Sequence, residues 1–344
     1  MNLEQDNKNN ILFEELHIRH LNLLIELKNT KVNNWFYKMA IINTLNDLKI
    51  ILNNLEKNKN KCIIAIQNKK IISYIYTHPI NQKKTCLKIN IPQLLEDNYY
   101  LSKRDLILSL IKNSISNTEL RTSSWIINSN IMNKDLISCA RELGFQPLQE
   151  IKLWKKDQIK KNSYNYKNKL DLNNLIQINK SNIKKVLNFV SANESILMRN
   201  ILDLEQEDIY KRTTNLSGAL IIEGKVIFAL LKDISYPNEN VYSLIKGISW
   251  DERLGNVLAS IINHIFKKEP NIILKTYSND NELNNYLFNL GLIEKEEELI
   301  LIRNTLIKRD IKSVNKINKS LESILGKINP QNNPYPSPLP VKTK

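Results

Sequence analysis

The chain has 344 residues, 42% of them hydrophobic, which is long for one core and predicts two domains. No run approaches the ~20 apolar residues of a membrane helix, and the polar start MNLEQDNKNN is no signal peptide, so a cytoplasmic protein without a membrane partner is expected. The formal charge is +15, which invites a nucleic-acid partner, and there are only three cysteines, which leaves no disulfide framework.

Residues 13–20 (FEELHIRH) alternate apolar and polar and read as a strand. His17 and His20 then point to opposite faces, which argues against a shared metal. Leu45, Leu48, Ile51, Leu52 and Leu55 form one face of a helical stretch within 21–58. Residues 62–79 read as a hairpin around Asn68-Lys69-Lys70, and TCLKINI (85–91) as the next strand. SKRDLILSLIKNSIS (102–116) is an amphipathic helix with a capping box between Ser102 and Asp105. LRTSSWIIN (120–128) is a strand. NKDLISCAREL (133–143) is a helix that stops at Gly144, the first of seven glycines in the chain. FQPLQEIKLWKK (145–156) reads as the strand that closes this unit.

The same order then recurs. LIQIN (175–179) is a strand, SNIKKVLNFVSAN (181–193) a helix, and ALIIEGKVIFALLKD (219–233) a hairpin turned at Glu223-Gly224. VYSLIKGIS (241–249) is a strand, ERLGNVLASIINHIFKK (252–268) a helix, NIILKTYSN (271–279) a strand, ELNNYLFNL (282–290) a helix ended by Gly291, and EEELILIRN (296–304) the last strand. IAIQNKKIISYIY (64–76) aligns with LIIEGKVIFALLK (220–232) without a gap, and ARELGF (140–145) with LFNLGL (287–292). The chain is therefore read as an α/β protein made of two copies of one domain, 12–156 and 172–304. Residues 1–11 read as a disordered N-terminus and the lysine-rich stretch 157–171 as a linker. Residues 305–344 read as a basic helix followed by a disordered tail, which holds five of the ten prolines.

The order strand, helices, three antiparallel strands, helix, strand, helix, strand resembles the GNAT N-acyltransferase superfamily, twice over. N-K-D-L-I-S-C-A-R-E-L-G-F (133–145) is similar to that superfamily's N-x-x-A-x-x-L-Y-x-x-L-G-F segment, with Asn133 and Gly144-Phe145 at the right spacing. D-N-E-L-N-N-Y-L-F-N-L-G-L (280–292) is the second copy's match. The resemblance implies, in each copy, a mixed and mainly antiparallel sheet flanked by helices, whose fourth and fifth strands splay apart around acetyl-CoA. The pyrophosphate would sit on the backbone N–H groups of the following helix start.

The superfamily's loop at that helix start reads [QR]-x-x-G-x-[GA]. The first copy has P-Q-L-L-E-D-N-Y-Y-L-S-K-R-D (92–105) there, with no glycine and with Glu96 and Asp97 in the way, although Lys103 and Arg104 would attract an anion. The second copy has W-D-E-R-L-G-N-V-L (250–258), with Gly255 at the last glycine. Ile248, Ser249, Arg253, Leu254, Gly255, Asn256 and Asn281 are therefore the candidate contacts to acetyl-CoA. The tyrosine that protonates the leaving thiolate belongs four residues before the glycine. Ala140 stands there in the first copy and Leu287 in the second, with Tyr286 one position away. Tyr286 and Glu252 are the candidate acid and base, with Asp233 and Glu239 as further bases. Tyr242 and Lys246 share a face of the fourth strand, and Cys139 reads as a small buried residue.

These residues predict an acyl-CoA-dependent N-acyltransferase that moves an acetyl group to an unidentified amine, with the second copy active and the first degenerate. Two other readings stand beside it. One is a non-catalytic scaffold of the same fold. The other is a protein that contacts nucleic acid weakly through its basic segments. The sequence sets neither the acceptor nor the oligomeric state, and it offers no metal site.

Overall fold

The computed structural model describes residues 11–25, 36–41, 43–44, 60–95, 100–118, 122–156, 175–237 and 239–305. The N-terminus, the leucine-rich helical face, the linker and the basic tail inferred from sequence lie outside the described residues.

Two local devices set the repeat. The first is the hairpin between β2 (Lys61–Gln67) and β3 (Lys70–Pro79), which matches that between β9 (Gly218–Ile222) and β10 (Lys225–Lys232). Both turn on two residues of positive φ, Asn68-Lys69 in one and Glu223-Gly224 in the other. Such turns match the right-handed twist of the paired strands. The second device ends a helix. After α3 (Lys134–Glu142), Gly144 adopts φ +84, its N–H donates to the Arg141 carbonyl and the Phe145 N–H to the Ala140 carbonyl. That pair of bonds is a Schellman motif, and the left-handed position costs a glycine least. Gly291, at φ +81, follows α8 (Asn281–Asn289), and its N–H donates to the Phe288 carbonyl at 2.9 Å.

The other strands are β1 (Leu12–Glu15), β4 (Cys86–Ile89), β5 (Gln93–Leu94), β6 (Ser124–Asn130), β7 (Gln146–Lys156), β8 (Leu175–Ile176), β11 (Val241–Lys246), β12 (Ile273–Tyr277) and β13 (Leu292–Asn304). The strand expected over 13–20 stops at Glu15. The His17 N–H donates to His20 Nδ1 at 3.0 Å and closes a 3-10 turn over Ile18–His20, so the two histidines do not alternate across a strand. His20 instead meets Glu14 at 2.9 Å, and no metal-binding group of three or more His, Cys, Asp or Glu occurs among the described residues.

All these strands join one sheet, in the order β1-β2-β3-β4-β6-β13-β7-β12-β11-β10-β9-β8, with β5 paired to β3. Pairing is antiparallel except between β4 and β6 and between β11 and β12. The closing strands are exchanged between the halves. β13, from the end of the second half, lies between β6 and β7, and β7 pairs in turn with β12 of the second half. The strand 145–156 therefore does not simply close its own unit.

The cores record the exchange. Helices α2 (Lys103–Ser116) and α3 cover one face of the first half, and the core beneath them includes Leu301 from β13. Helices α7 (Glu252–Lys268) and α8 cover the same face of the second half. The core beneath them includes Trp154 from β7, whose Nε1 donates to Thr276 Oγ1 at 2.9 Å. The opposite face is covered by α1 (Leu21–Ile25) with residues 36–41 and 43–44 over the first half and by α4 (Ile183–Asn193), α5 (Ile196–Leu202) and α6 (Gln206–Lys211) over the second half and the centre. No helix among the described residues is long and apolar enough to cross a membrane.

The connections between third and fourth strands also cross over. In the first half, Asn81 Nδ2 donates to the Leu202 carbonyl at 2.9 Å and the Gln82 N–H to Asp208 Oδ1 at 2.6 Å. In the second half, Tyr236 reaches Asn128 and Glu298. Each half is thus completed by the other. Trp154→Ala is expected to cost ~3–5 kcal/mol and to lower one shared unfolding transition, although Trp154 lies in the first half of the sequence. Fragments 1–160 and 161–344 expressed apart are expected to lack cooperative melting and to regain it when co-expressed. Calorimetry reads both.

His78 on β3 is buried, and burial first, then the Lys88 charge, pushes its pKa down from 6.5 to about 4. Between those values the unfolded chain binds a proton that the folded chain does not. Stability is therefore full above pH 6.5 and falls toward about 4, and the shift is worth about 3 kcal/mol. Denaturant unfolding across this window checks it, and His78→Gln is expected to flatten that part of the profile.

Candidate functional site

Both parallel ladders are short, and both end at the same place. β4 and β6 pair at Cys86↔Ser124, Leu87↔Trp125 and Lys88↔Ile126, then separate. β11 and β12 pair at Val241↔Ile273, Tyr242↔Leu274 and Ser243↔Lys275, then separate. The two openings differ in depth. In the first half the chain leaves β6 and stays on β3. Ile89 pairs with Thr77, the Asn90 N–H donates to the Tyr76 carbonyl, and after Ile91-Pro92 the strand resumes as β5 against Tyr74 and Ser73. A cavity of about 680 Å³ lies there, lined by Lys88, Asn90 and Gln93, by Asn128, and by Tyr236, Glu239, Glu296 and Glu298 from the second half. The cavity beside Ser243–Ile245 and Lys275–Tyr277 holds only about 60 Å³.

The second half's candidate residues gather around the start of α7. Asp251 caps that helix: its carboxylate accepts from the Arg253 N–H at 3.0 Å and from the Arg253 guanidinium at 3.0 and 2.8 Å. Those bonds hold the Asp251 carboxyl below its ordinary range. Glu252 stands exposed in the first turn, and Leu254 is buried in the core. The Trp250 ring lies on Gly255, so that a Cβ there would stand 3.3 Å from Cζ2. The Tyr286 hydroxyl donates to the Gly255 carbonyl at 2.7 Å, and its ring stacks at a tilt on Trp250, 5.3 Å between centroids. Ile248 is 87% exposed, and Ser249 and Asn281 are exposed as well. Asn256 lies in α7, and its side chain is outside the described residues. The structure thus brings Tyr286, Trp250 and Gly255 together as packing at the helix start.

These residues do not fit the coenzyme's pyrophosphate. A phosphate at this helix start would meet the Asp251 and Glu252 carboxylates, and Trp250 fills the approach to Gly255 that the glycine would otherwise open. The side of the gap is also tied. Lys246, its side chain only 5% exposed, bridges to Asp280 at 3.3 Å and Glu282 at 3.2 Å at the start of α8. At the start of α2 the cap is the neutral Ser102, which accepts from the Asp105 N–H at 3.1 Å. Lys103 and Arg104 follow, and Arg104 pairs with Glu142 at 2.5 Å. That helix start has the charge an anion needs, with Asp105 the one acid in its first turn. Glu96 and Asp97 lie outside the described residues.

Under α5, at the sheet centre, lies a buried polar group that the sequence hardly signals. Asp233 pairs with Lys275 and accepts from Ser243 Oγ at 3.3 Å, and Arg212 reaches Ser243 Oγ at 3.5 Å. Burial alone would raise the Asp233 pKa, but Lys275 and Arg212 hold it far below the carboxylate range. Asp233 is therefore a locked carboxylate and a poor base. Tyr277 donates to Glu194 Oε1 at 2.5 Å. Glu239 pairs with Lys295 at 2.9 Å, Tyr242 shares a 3.0 Å hydrogen bond with Thr214, and Cys139 is fully buried. In the first-half cleft, Tyr236 donates to Glu298 Oε2 at 2.5 Å and accepts from Asn128 Nδ2 at 2.8 Å. Burial and the Glu298 charge push the Tyr236 pKa well up. Lys88 is 3% exposed, with its Nζ 4.3 Å over the Tyr236 ring. Its one sequence signal is a lysine in the middle of the short apolar strand TCLKINI.

No family model matches the sequence, and no curated protein matches it. Solved structures do match in shape. A tandem GNAT protein from the clavulanic acid biosynthesis pathway superposes with a TM-score of 0.50 at 7% identity, over 86% of this chain and 98% of that one. A GCN5-related N-acetyltransferase from Sphaerobacter thermophilus aligns with a TM-score of 0.46 at 8% identity, over 75% and 84% of the two chains. A GNAT-family acetyltransferase from Colwellia psychrerythraea aligns at 0.40 and 13%, over 71% and 85%. With the repeated strand order and the two short parallel ladders, the first of these similarities identifies the architecture: the chain has a tandem GNAT fold.

Proposed function

We propose that this protein is an acyl-CoA-dependent N-acyltransferase that moves an acetyl group from acetyl-CoA to an amine, and that the first half carries the reaction. One observation carries the reading: a cleft of about 680 Å³ beside the fourth strand of the first half, where the parallel ladder ends. That volume lies within the ~300–1,000 Å³ of small-molecule sites. The second half's opening is about a tenth as large, 60 Å³, and its helix start is occupied by its own side chains. The expectation that the second copy is the active one gives way, in this reading, to a second half that completes the first.

Bound acetyl-CoA would supply the thioester. The chain would supply position. Lys103 and Arg104 open α2, and Asn90 and Gln93 line the cleft. Holding acceptor and donor together accounts for much of such a rate enhancement. The non-catalytic scaffold keeps support in the second half, where Lys246 ties the side of the gap.

Isothermal titration of the full chain with acetyl-CoA is expected to give a saturable heat. Asn90→Trp, which fills the first opening, is expected to weaken binding at least tenfold. If Gly255→Glu removes the heat and Asn90→Trp does not, the second half is the site. Absence of heat at millimolar ligand would remove the coenzyme from this protein.

A further inference from the structure

Three lysines are buried or nearly so around the two openings, and two have carboxylate partners. Lys275 is held by Asp233, and Lys246 by Asp280 and Glu282. Lys88 has neither an ion pair nor a hydrogen-bond acceptor among the described residues. Its Nζ lies 4.3 Å from the centroid of the Tyr236 ring. A buried cation left without an anion is costly. Burial lowers its pKa to about 8, even with Asp233 and Glu298 in the surroundings.

The repeat shows what is missing. Lys88 occupies the third rung of the first ladder, and Lys275 belongs to the third rung of the second. Asp233, the partner of Lys275, sits where the N–H after the third strand donates to the first ladder residue of the fourth, Val241. The matching position in the first half, whose N–H donates to Cys86, is Ile80. The first half therefore keeps a cation at this rung and has no carboxylate at the position that neutralises it in the second. Asp233 and Glu298 act on Lys88 through their charge, but Asp233 is paired with Lys275 and Glu298 is bound to Tyr236 and Asn128. Glu296 and Glu239 line the cleft's outer wall, beside Lys295.

We propose that the first-half cleft takes an acceptor that carries a carboxylate beside its amine, an amino acid or a compound with that end, and that the carboxylate pairs with Lys88. The ligand supplies the anion that Ile80 does not, and its ammonium faces the acidic wall of Glu239 and Glu296. This rests on the acyltransferase reading for the word acceptor, but binding itself does not need the coenzyme.

The test uses the full chain without acetyl-CoA. The twenty amino acids and the matching amines that lack the carboxylate are screened by thermal shift, and hits are measured by isothermal titration. At least one amino acid is expected to bind, its decarboxylated counterpart at least tenfold more weakly. Lys88→Met is expected to remove that preference while melting no lower than the parent, because an apolar side chain relieves an unpaired buried charge. Lys88→Arg is expected to keep part of the affinity and shows that the site still folds. Equal binding of amine and amino acid, an unchanged preference in Lys88→Met, or no amino acid bound at all would overturn the proposal. If succinyl-CoA binds in a Lys88-dependent way and no amino acid does, the anion belongs to the donor and the acceptor assignment falls. Acetyl-CoA binding with no amino acid bound would leave the acyltransferase reading standing alone.

Discussion

The placement of β13 between β6 and β7 is the constraint on which the rest of this structure depends. A closing strand is the last piece of a sheet. When each half lends that piece to the other, neither core is whole until both are made. Leu301 packs under α2 and α3, Trp154 packs under α7 and α8, and the ladder from β6 to β12 runs through both borrowed strands. The contacts involved are distant in sequence, such as Ser124 with Asn304. Closing such loops is an entropic cost that precedes the contacts it makes possible.

The exchange also explains where polar groups could be buried. The connections that follow the third strands are carried onto the opposite half, so side chains from both halves meet over the sheet centre. The group around Asp233 is satisfied within the protein: Lys275, Arg212 and Ser243 surround one carboxylate. The group around Lys88 is not, since Tyr236 offers a ring face rather than a formal anion. A charge over an aromatic face is weakly stabilised compared with an ion pair in the same setting.

What the sequence disclosed was local. The turn at Asn68-Lys69 and the helix stop at Gly144 need particular backbone angles, and residue types report those directly. The resemblance to a duplicated GNAT order followed from such signals. The exchange was not legible, because alternation tells which face of a strand is buried and not which neighbour it joins. The strands 146–156 and 292–304 alternate in the same manner whether or not they trade places. The site was legible only as a region. W-D-E-R-L-G reads as a phosphate loop until Trp250 is seen lying on Gly255 and Asp251 on the helix N–H. Lys88 was hidden by composition: in a chain with 50 lysines and arginines, one more lysine reads as solvated surface.

The two halves illustrate how duplication can divide labour without dividing the fold. The same rung of the same ladder carries a lysine in both, on the fifth strand in one and the fourth in the other. In the second half the aspartate before the fourth strand turns that lysine into an ion pair, and the space beside it shrinks to 60 Å³. In the first half isoleucine stands in the aspartate's place, the strand departs through Asn90-Ile91-Pro92, and the space stays open. Tyr236 and Glu298, which wall the open cleft, come from the closed half. Loss of the second gap is therefore compatible with a gain for the first: side chains freed from lining one site are fixed firmly enough to line the other.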